Sequence, residues 1–380
     1  MPSNRSPITT TDALRAVWPD LEDATVIGID LRSPRFDWTG AHVTARTTLL
    51  GCTLDPADAS ALVQRGATLC SPLPGLPFAP YRAELYTYEE LTAGYHGNGY
   101  EATADARIGE WFVASNTGPH DAIVRALHDA TIDAAVARFV EGRRVVGVMG
   151  GHALGRDASG YRAVATLGRT LTRAGFCVAT GGGPGVMEAA NFGAWFAAFD
   201  DDAFEAALDV LAAAPNYATD HHAYLDRALD VRARWPHGGE SLGVPTWVYV
   251  DEPTTGFATH IAKYFTNSIR ENGLLAIARS GVIYCPGGAG TEQEIFTDTA
   301  QNSLTLYEVR SPMVFFGTEF FEVEHHELVA TARGQASAFG WSNLLTVVDT
   351  PEDAVAFIDH HDPDGSGRAA VERRRKHRGS

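Results

Sequence analysis

The sequence predicts an α/β protein: a Rossmann-like, doubly wound parallel sheet with a smaller α+β domain at its N-terminus. From about Val145 onward, short apolar runs alternate with helical patterns, which is typical of βαβ units. Three of these runs end in glycine-rich turns that lead into predicted helices. The length of 380 residues suffices for two domains or for one large domain with an appendage.

Six runs rich in Val, Ile or aromatic residues are predicted as buried parallel strands. They cover residues 144–150, 176–181, 245–250, 281–286, 311–317 and 344–349. Helical patterns follow at 159–174, 185–197, 258–279, 290–305 and 319–338, and a last helix at 351–360 begins with a Thr cap and a Pro. Residues 199–239 interrupt the alternation and are predicted to form a helical insertion.

The region before the sheet has a different character, with scattered Pro and Gly and only two strand-like runs, 25–30 and 42–51. We expect residues 1–118 to form the smaller α+β domain and residues 119–362 the Rossmann-like domain, with a helix at 120–142 joining them. Residues 363–380 carry a surplus of Arg. This basic tail could contact RNA or another phosphate-rich partner, or it could be a disordered, solubilising end.

Composition excludes several classes of function. No stretch approaches the roughly 18 to 20 apolar residues of a membrane helix, and no secretory leader is visible, so we expect a cytoplasmic protein. The net charge of −17 argues against binding to nucleic acid polymers. The four cysteines lie far apart with no CxxC spacing, so we expect buried thiols and neither disulfides nor zinc: Cys52, Cys70, Cys177 and Cys285.

The glycine-rich turns predict an anion site. They read MGGHALG after the first strand, TGGGPGVMEAAN after the second and PGGAGT at 286–291. The carboxyl ends of parallel strands meet at one edge of a sheet, and glycine lets an anion approach the backbone N–H groups at the start of the following helix. In the third turn we expect Gly287, Gly288 and Gly290 to hold a phosphate, with the Thr291 hydroxyl as a further donor.

Other phosphate-site chemistries do not fit these turns. A P-loop and a pyridoxal phosphate site each need a suitably placed lysine, yet the chain has only Lys263 and Lys376. The first turn lacks the GxGxxG spacing of a dinucleotide site. The paired histidines at 221–222, 325–326 and 360–361 are adjacent, which on a helix directs them apart, so we predict no metal and no cofactor.

Polar residues near the third turn are candidates for catalysis. Glu294 lies one turn into the helix and on the same face as Thr291, whereas Glu292 lies on another face. In the preceding predicted helix, Lys263, Asn267 and Arg270 form a polar stripe opposite three apolar residues, Ile261, Phe265 and Ile269. Such a stripe is more often a solvated face than a site.

The two turns GGGPGVMEAAN (181–191) and PGGAGTEQE (286–294), with an Arg-bearing helix before the second, resemble the Lonely Guy family of nucleotide phosphoribohydrolases, in order and over roughly residues 140–350. The long N-terminal region resembles the larger bacterial purine/pyrimidine nucleotide nucleosidases. This resemblance implies hydrolysis of nucleoside 5′-monophosphates to free base and ribose 5-phosphate. It also implies a small-molecule nucleotide substrate and a homodimer or higher homo-oligomer.

Matched onto the family motifs, Glu294 and Arg270 are the expected catalytic residues. Glu294 would stabilise the oxocarbenium-like state, orient the ribose hydroxyls or activate water, and Arg270 would hold phosphate or a ribose hydroxyl. The expected substrate-binding residues are Gly182, Gly183, Met187 and Asn267. The turn TGGGPGVMEAAN also resembles that of molybdenum-cofactor carrier proteins, so a non-catalytic protein that binds a phosphate-bearing ligand is the alternative.

Overall fold

The structure, a computed structural model, describes residues 6–33, 36–96, 98–115, 118–249 and 252–363. The predicted basic tail therefore lies, from residue 364 on, outside the described residues. None of the helices in these ranges combines the length and the apolar composition that a bilayer crossing requires.

The described chain alternates helices and short strands. Its strands are β1 Thr25–Ile27, β2 Thr48–Leu50, β3 Thr68–Cys70, β4 Val145–Met149, β5 Cys177–Thr180, β6 Ser241–Gly243, β7 His260–Ile261, β8 Gly281–Tyr284, β9 Met313–Phe316 and β10 Leu345–Val348. Its α-helices are α1 Thr11–Val17, α2 Pro56–Gln64, α3 Tyr88–Leu91, α4 Ala104–Ala114, α5 Pro119–Val140, α6 Ser159–Arg173, α7 Val186–Trp195, α8 Asp201–Ala212, α9 His221–Arg234, α10 Asn267–Ile277, α11 Ala289–Leu304, α12 His326–Phe339 and α13 Pro351–His361.

The chain divides into two compact units. The first, here the N-terminal unit, contains the chain up to Leu85 together with Glu110–Glu141; the second, the sheet unit, contains Tyr86–Gly109 and the chain from Gly142 on. The predicted domain limits at residues 118 and 362 stay a prediction.

The N-terminal unit is built on a small parallel sheet in the order β1-β2-β3. Thr25 lies opposite Thr48, which in turn lies opposite Thr68. The core of this unit includes three tightly packed aromatic rings, with centroids 4.9 to 5.9 Å apart: Trp18, Phe36 and Trp38. The two predicted strand-like runs contain β1 and β2, and β3 is a strand that the sequence pattern did not indicate.

The sheet unit holds a seven-stranded, fully parallel sheet in the order β10-β9-β8-β4-β5-β6-β7. From β4 the chain winds outward through β5, β6 and β7, then returns beside β4 and winds the other way through β8, β9 and β10. The prediction of a Rossmann-like doubly wound sheet is confirmed. The reversal between β4 and β8 opens a crevice at the carboxyl edge of the sheet, where such folds bind ligands.

Close packing of α6 against α7 helps to fix the turns at that edge. A Cβ on Gly193 of α7 would overlap the carbonyl oxygen of Ala165 and lie 2.7 Å from the backbone nitrogen of Arg169. Only glycine therefore permits this approach. The predicted insertion, residues 199–239, contains α8 and α9. Buried side chains of both helices belong to one hydrophobic core cluster with those of α6 and α7.

Two predictions about the third βα unit were wrong. Residues 245–249, the described part of the predicted run 245–250, form no strand, although Thr246 makes an isolated bridge with Tyr264. The strand in this part of the chain is β6, which precedes the run. The helix predicted over 258–279 begins only at Asn267, because its first part contains β7. Its predicted faces are also reversed at one point, since Ile269 is 41% exposed whereas Arg270 is buried.

Candidate functional site

A cavity of about 830 Å³ lies at the carboxyl edge of the large sheet, where the turns after β4, β5 and β8 meet. The three glycine-rich turns come together there as predicted, and seven of their glycines line the cavity: Gly150, Gly151, Gly181, Gly183, Gly287, Gly288 and Gly290. Much of the remaining wall is apolar and includes Leu154, Val164, Met187, Pro245, Tyr249 and Phe316. The cavity thus joins exposed backbone with an apolar surface, as small-molecule sites do.

The turn after β8 has the geometry of an anion cradle. Gly288 caps α11, and the first turn of that helix leaves N–H groups without intrahelical acceptors. Gly151 N–H donates to the Pro286 carbonyl at 3.0 Å, which ties the first turn to the third. A Cβ on Gly287 would lie 2.9 Å from the Gly151 nitrogen, so the two turns meet closely. Thr291 is buried and lines the cavity beside them.

In the second turn, Gly181 and Gly183 line the cavity, whereas Gly182 lies behind its wall. Gly182, at φ +72°, does not belong to the cavity lining; a Cβ there would lie 2.7 Å from Pro245 Cδ. Gly183 does line the cavity, and the Met187 side chain lies across the turn, with its Cε 2.9 Å from a Cβ built on Gly183. Gly182 therefore shapes the turn, whereas Gly183 and Met187 face the ligand space.

Arg270 and Glu294 lie together in the cavity wall. The guanidinium of Arg270 is fixed to the backbone, because Nε donates to the Val244 carbonyl at 2.7 Å and Nη2 to the Gly181 carbonyl at 3.2 Å. Its Nη1 is 3.8 Å from Glu294 Oε1, and only 9% and 11% of the two side chains are exposed. The first two contacts anchor the arginine across β5 and β6, and the third holds it beside the carboxylate.

Burial raises the pKa of Glu294 to about 7, although Arg270 opposes this rise; the nearby charge of Glu271 adds to it. A carboxyl group that titrates near neutrality can both donate and accept a proton at physiological pH. Such a group in a cleft is a candidate for acid–base chemistry.

Asn267, expected to bind substrate, lies outside the cavity lining. Its Nδ2 donates to Glu271 Oε1 at 2.8 Å, and Gln293 Nε2 donates to Glu271 Oε2 at 2.5 Å. Glu271, which lines the cavity, was missed by the sequence reasoning. The only signal in the sequence was its position next to Arg270. That signal was weak, because neighbouring residues on a helix ordinarily point in different directions.

Glu252 and His152 form a second polar pair in the cavity that sequence reasoning missed. His152 Nδ1 lies 3.7 Å from Glu252 Oε1. Burial raises the pKa of Glu252, whereas His152 and Arg270 pull it down. His152 follows Gly150 and Gly151 within the first glycine-rich turn, which was a signal for its place at this edge; Glu252 lies in a loop whose course no motif indicates.

Two buried ion pairs close to the cavity are structural. Glu188, next to Met187, accepts bonds of 2.6 and 2.8 Å from Arg156 and two more from tyrosine hydroxyls. Lys263 donates to both oxygens of Asp105, at 2.8 and 2.9 Å. Neither pair lines the cavity. Within the described ranges, no group of three or more His, Cys, Asp or Glu side chains is placed to hold a metal ion.

Comparison with known proteins gives one family match. The model of the SLOG cluster4 family matches residues 143–198, which begin two residues before β4 and end three residues after α7. This segment contains the first two glycine turns but not the third. No curated protein matches the chain.

Three solved structures are similar over part of the chain. The molybdenum cofactor binding protein from the phototrophic bacterium Rippkaea orientalis is 16% identical, with a TM-score of 0.35 over 57% of this chain and 96% of that one. Two structures of the molybdenum cofactor carrier protein from Chlamydomonas reinhardtii are 17% and 18% identical, with TM-scores of 0.34 and 0.35. They cover 58% and 57% of this chain and 98% and 96% of theirs. Likenesses at these TM-scores carry no argument about what this chain binds.

Proposed function

We propose that the protein hydrolyses the N-glycosidic bond of nucleoside 5′-monophosphates and releases the free base and ribose 5-phosphate. The observation that carries the proposal is the Arg270–Glu294 pair, which is buried beside a cradle of backbone N–H groups in one cavity. Because the pair and the cradle line the same cavity, a ligand whose phosphate lies in the cradle could present its reacting bond to the pair.

The phosphate would lie at the start of α11, where Gly287, Gly288 and Gly290 leave the backbone open and Thr291 offers a hydroxyl. Helix N-termini favour negative charge by about 0.3 to 2 kcal/mol, so direct N–H hydrogen bonds supply most of the binding energy. The ribose would then face Glu294, and the base would extend towards Gly183 and Met187.

Glu294 has the proton affinity that this reaction needs. In its protonated form it donates a proton to the base as the C1′–N bond breaks and the bonding electrons leave with the base. The ribose then carries an oxocarbenium-like positive charge, which the Glu294 carboxylate stabilises. Water adds to C1′ and returns a proton to Glu294, so the enzyme is regenerated. Arg270 holds the carboxylate or a ribose hydroxyl in place through its fixed guanidinium.

The test is incubation of the protein with AMP, GMP, IMP, CMP, UMP and a cytokinin nucleotide, followed by chromatography of the free base. We expect release from at least one nucleotide. Glu294→Gln should lower turnover by about 10² to 10⁴-fold, the usual contribution of a positioned acid–base group, and leave phosphate binding largely intact. A Glu294→Gln variant with full activity would refute this mechanism.

A carrier of a phosphate-bearing ligand is the second candidate function. The cavity volume of about 830 Å³ favours it, because it lies towards the upper end of the roughly 300 to 1,000 Å³ that small-molecule sites span and leaves room for a larger phosphate-bearing ligand. If no nucleotide in the panel is cleaved but one or more bind, the carrier function replaces the hydrolase. The homodimer and the cytoplasmic location expected from the sequence stay predictions; sedimentation analysis of the purified chain tests the first.

A further inference from the structure

The guanidinium of Arg270 has a single nitrogen, Nη1, that faces two carboxylates. Its Nε and Nη2 are bound to backbone carbonyls, which leaves Nη1 at 3.8 Å from Glu294 Oε1 and 4.0 Å from Glu271 Oε1. One positive charge therefore serves two negative groups. All three side chains are at most 11% exposed, so water screens them little.

The two carboxylates differ in their hydrogen bonds. Glu271 accepts one from Asn267 Nδ2 and one from Gln293 Nε2, so each of its oxygens has a donor. Nothing among the described residues donates a hydrogen bond to the carboxylate of Glu294, whose only polar contact there is with Arg270. Hydrogen bonds to a carboxylate favour its charged form. Of the two groups, Glu271 is thus the one whose carboxylate is held in place by hydrogen-bond donors.

We propose that Glu271 is a positioning residue: its carboxylate, which two donors hold in place, competes with Glu294 for Arg270 and thereby sets how readily Glu294 takes up a proton. The expected effect on catalysis rests on the proposed hydrolase function. The competition between the two carboxylates for Arg270 does not, because it takes place in the ligand-free cavity.

The other groups around Glu294 do not supply the same effect. The hydroxyl of Tyr284, on β8, donates its hydrogen bond to Asp298 at 2.8 Å and not to the carboxylate of Glu294. Asp298 is itself buried, and burial raises its pKa to about 7, so it adds little negative charge below neutrality. Across the cavity, Glu252 is paired with His152. Glu271 is therefore the nearby negative charge that acts on Glu294.

The test is the pH dependence of kcat/KM for Glu271→Gln. Loss of the charge leaves Arg270 to Glu294 alone, so the limb of the profile that reports Glu294 should move down by roughly one pH unit, as expected for a charge removed several ångströms away. The fold should tolerate the change. Asn267 Oδ1 is buried and has no hydrogen-bond partner in the described part of the chain, so it can accept from the new amide after a flip of its own.

Two further variants make the result specific. Gln293 is exposed, so Gln293→Ala removes one donor from Glu271 without a packing defect, and it should shift the same limb in the same direction by a smaller amount. Glu292 lies on the same helix and outside the cavity lining, so Glu292→Gln removes an equal charge and should leave the profile unchanged.

A second readout needs no substrate. The carboxyl carbon of Glu294 can be titrated by ¹³C NMR, with Glu294→Gln to identify its resonance, in the full ligand-free chain. A lower midpoint in Glu271→Gln supports the proposal, even if no nucleotide is cleaved and the hydrolase function fails. An unchanged midpoint, or a loss of activity with no shift of the pH profile, shows that Glu271 only braces α10 and overturns the proposal.

Discussion

Gly290 should be dispensable for folding but not for ligand binding. It is the second residue of α11, and a Cβ built on it meets no atom within 4 Å. It does not belong to the glycines with positive φ. Helical glycine destabilises a protein by about 0.5 to 1 kcal/mol relative to alanine in a helix interior, and by less in the first turn. Nothing in the packing of the described chain therefore requires glycine here, whereas the cavity that it lines offers a reason.

Gly290→Ala should raise the free energy of unfolding by up to about 1 kcal/mol and weaken phosphate binding. In an α-helix the Cα–Cβ bond tilts towards the N-terminus, so the added methyl group points at the position where the anion meets the helix. Loss of one hydrogen bond to a charged oxygen costs about 1.5 to 3 kcal/mol, which corresponds to roughly 10- to 100-fold in affinity. Urea unfolding gives the first quantity, and calorimetric titration with inorganic phosphate and nucleoside monophosphates gives the second.

Gly334 on α12 supplies the matched control. It is exposed, helical and equally free of atoms around a built Cβ, yet it lies outside the cavity lining. Gly334 lies in the helix interior, so Gly334→Ala should give at least as large a gain in stability, with no change in affinity. Our assignment of the phosphate to the start of α11 is refuted if Gly290→Ala binds phosphate as tightly as the parent protein does.

Three further predictions concern the charges around the cavity. Arg270→Lys should lower turnover about 10- to 100-fold in steady-state assays, because lysine cannot keep both carbonyl bonds that fix the guanidinium; full activity would contradict this. Asp105→Ala should cost about 3 to 5 kcal/mol in urea unfolding, since it leaves the buried Lys263 charge unpaired; a cost below 1 kcal/mol would show that water reaches the lysine. Burial raises the pKa of Asp298 to about 7, so the folded state holds a proton that the unfolded state releases near pH 4; this stabilisation is complete below pH 4 and is lost as the pH rises through 7. The free energy of unfolding should accordingly fall between about pH 4 and pH 7, and by less in Asp298→Asn; equal slopes would argue against the shift.

The sequence contained enough information to predict the sheet edge. Short runs rich in Val, Ile or aromatic residues predicted five of the large sheet's strands, and the glycine turns after β4, β5 and β8 predicted where these strands form a cavity. These features are local, because a buried parallel strand needs apolar residues and a tight strand-to-helix turn needs glycine. The place of Glu294 in the cavity lining was also predictable, since its spacing from Thr291 puts both on one face of α11; its catalytic role stays a prediction.

The third βα unit could not be predicted from such patterns. The run at 245–250 has the composition of a strand, yet Trp247 is buried by stacking on Phe265 and donates its N–H to Asp105, a residue 142 positions away. Val248 and Tyr249 are 41% and 47% exposed. The strand itself is β6, three residues that carry no periodic signal. Partners so distant in sequence decide the local structure here, and periodicity does not report them.

The cavity lining contains more carboxylates than cations, and no lysine. Three carboxylates, Glu252, Glu271 and Glu294, line the cavity together with one arginine, whose charge is already shared between two of them. A phosphate dianion would be repelled by such a wall at long range, so its binding depends on short contacts with the backbone dipoles of the turn after β8. A proton on Glu294 lowers that repulsion. In the proposed mechanism, the same proton is transferred to the leaving base. In the proposed hydrolase, phosphate binding and acid catalysis are therefore coupled through this single carboxyl group.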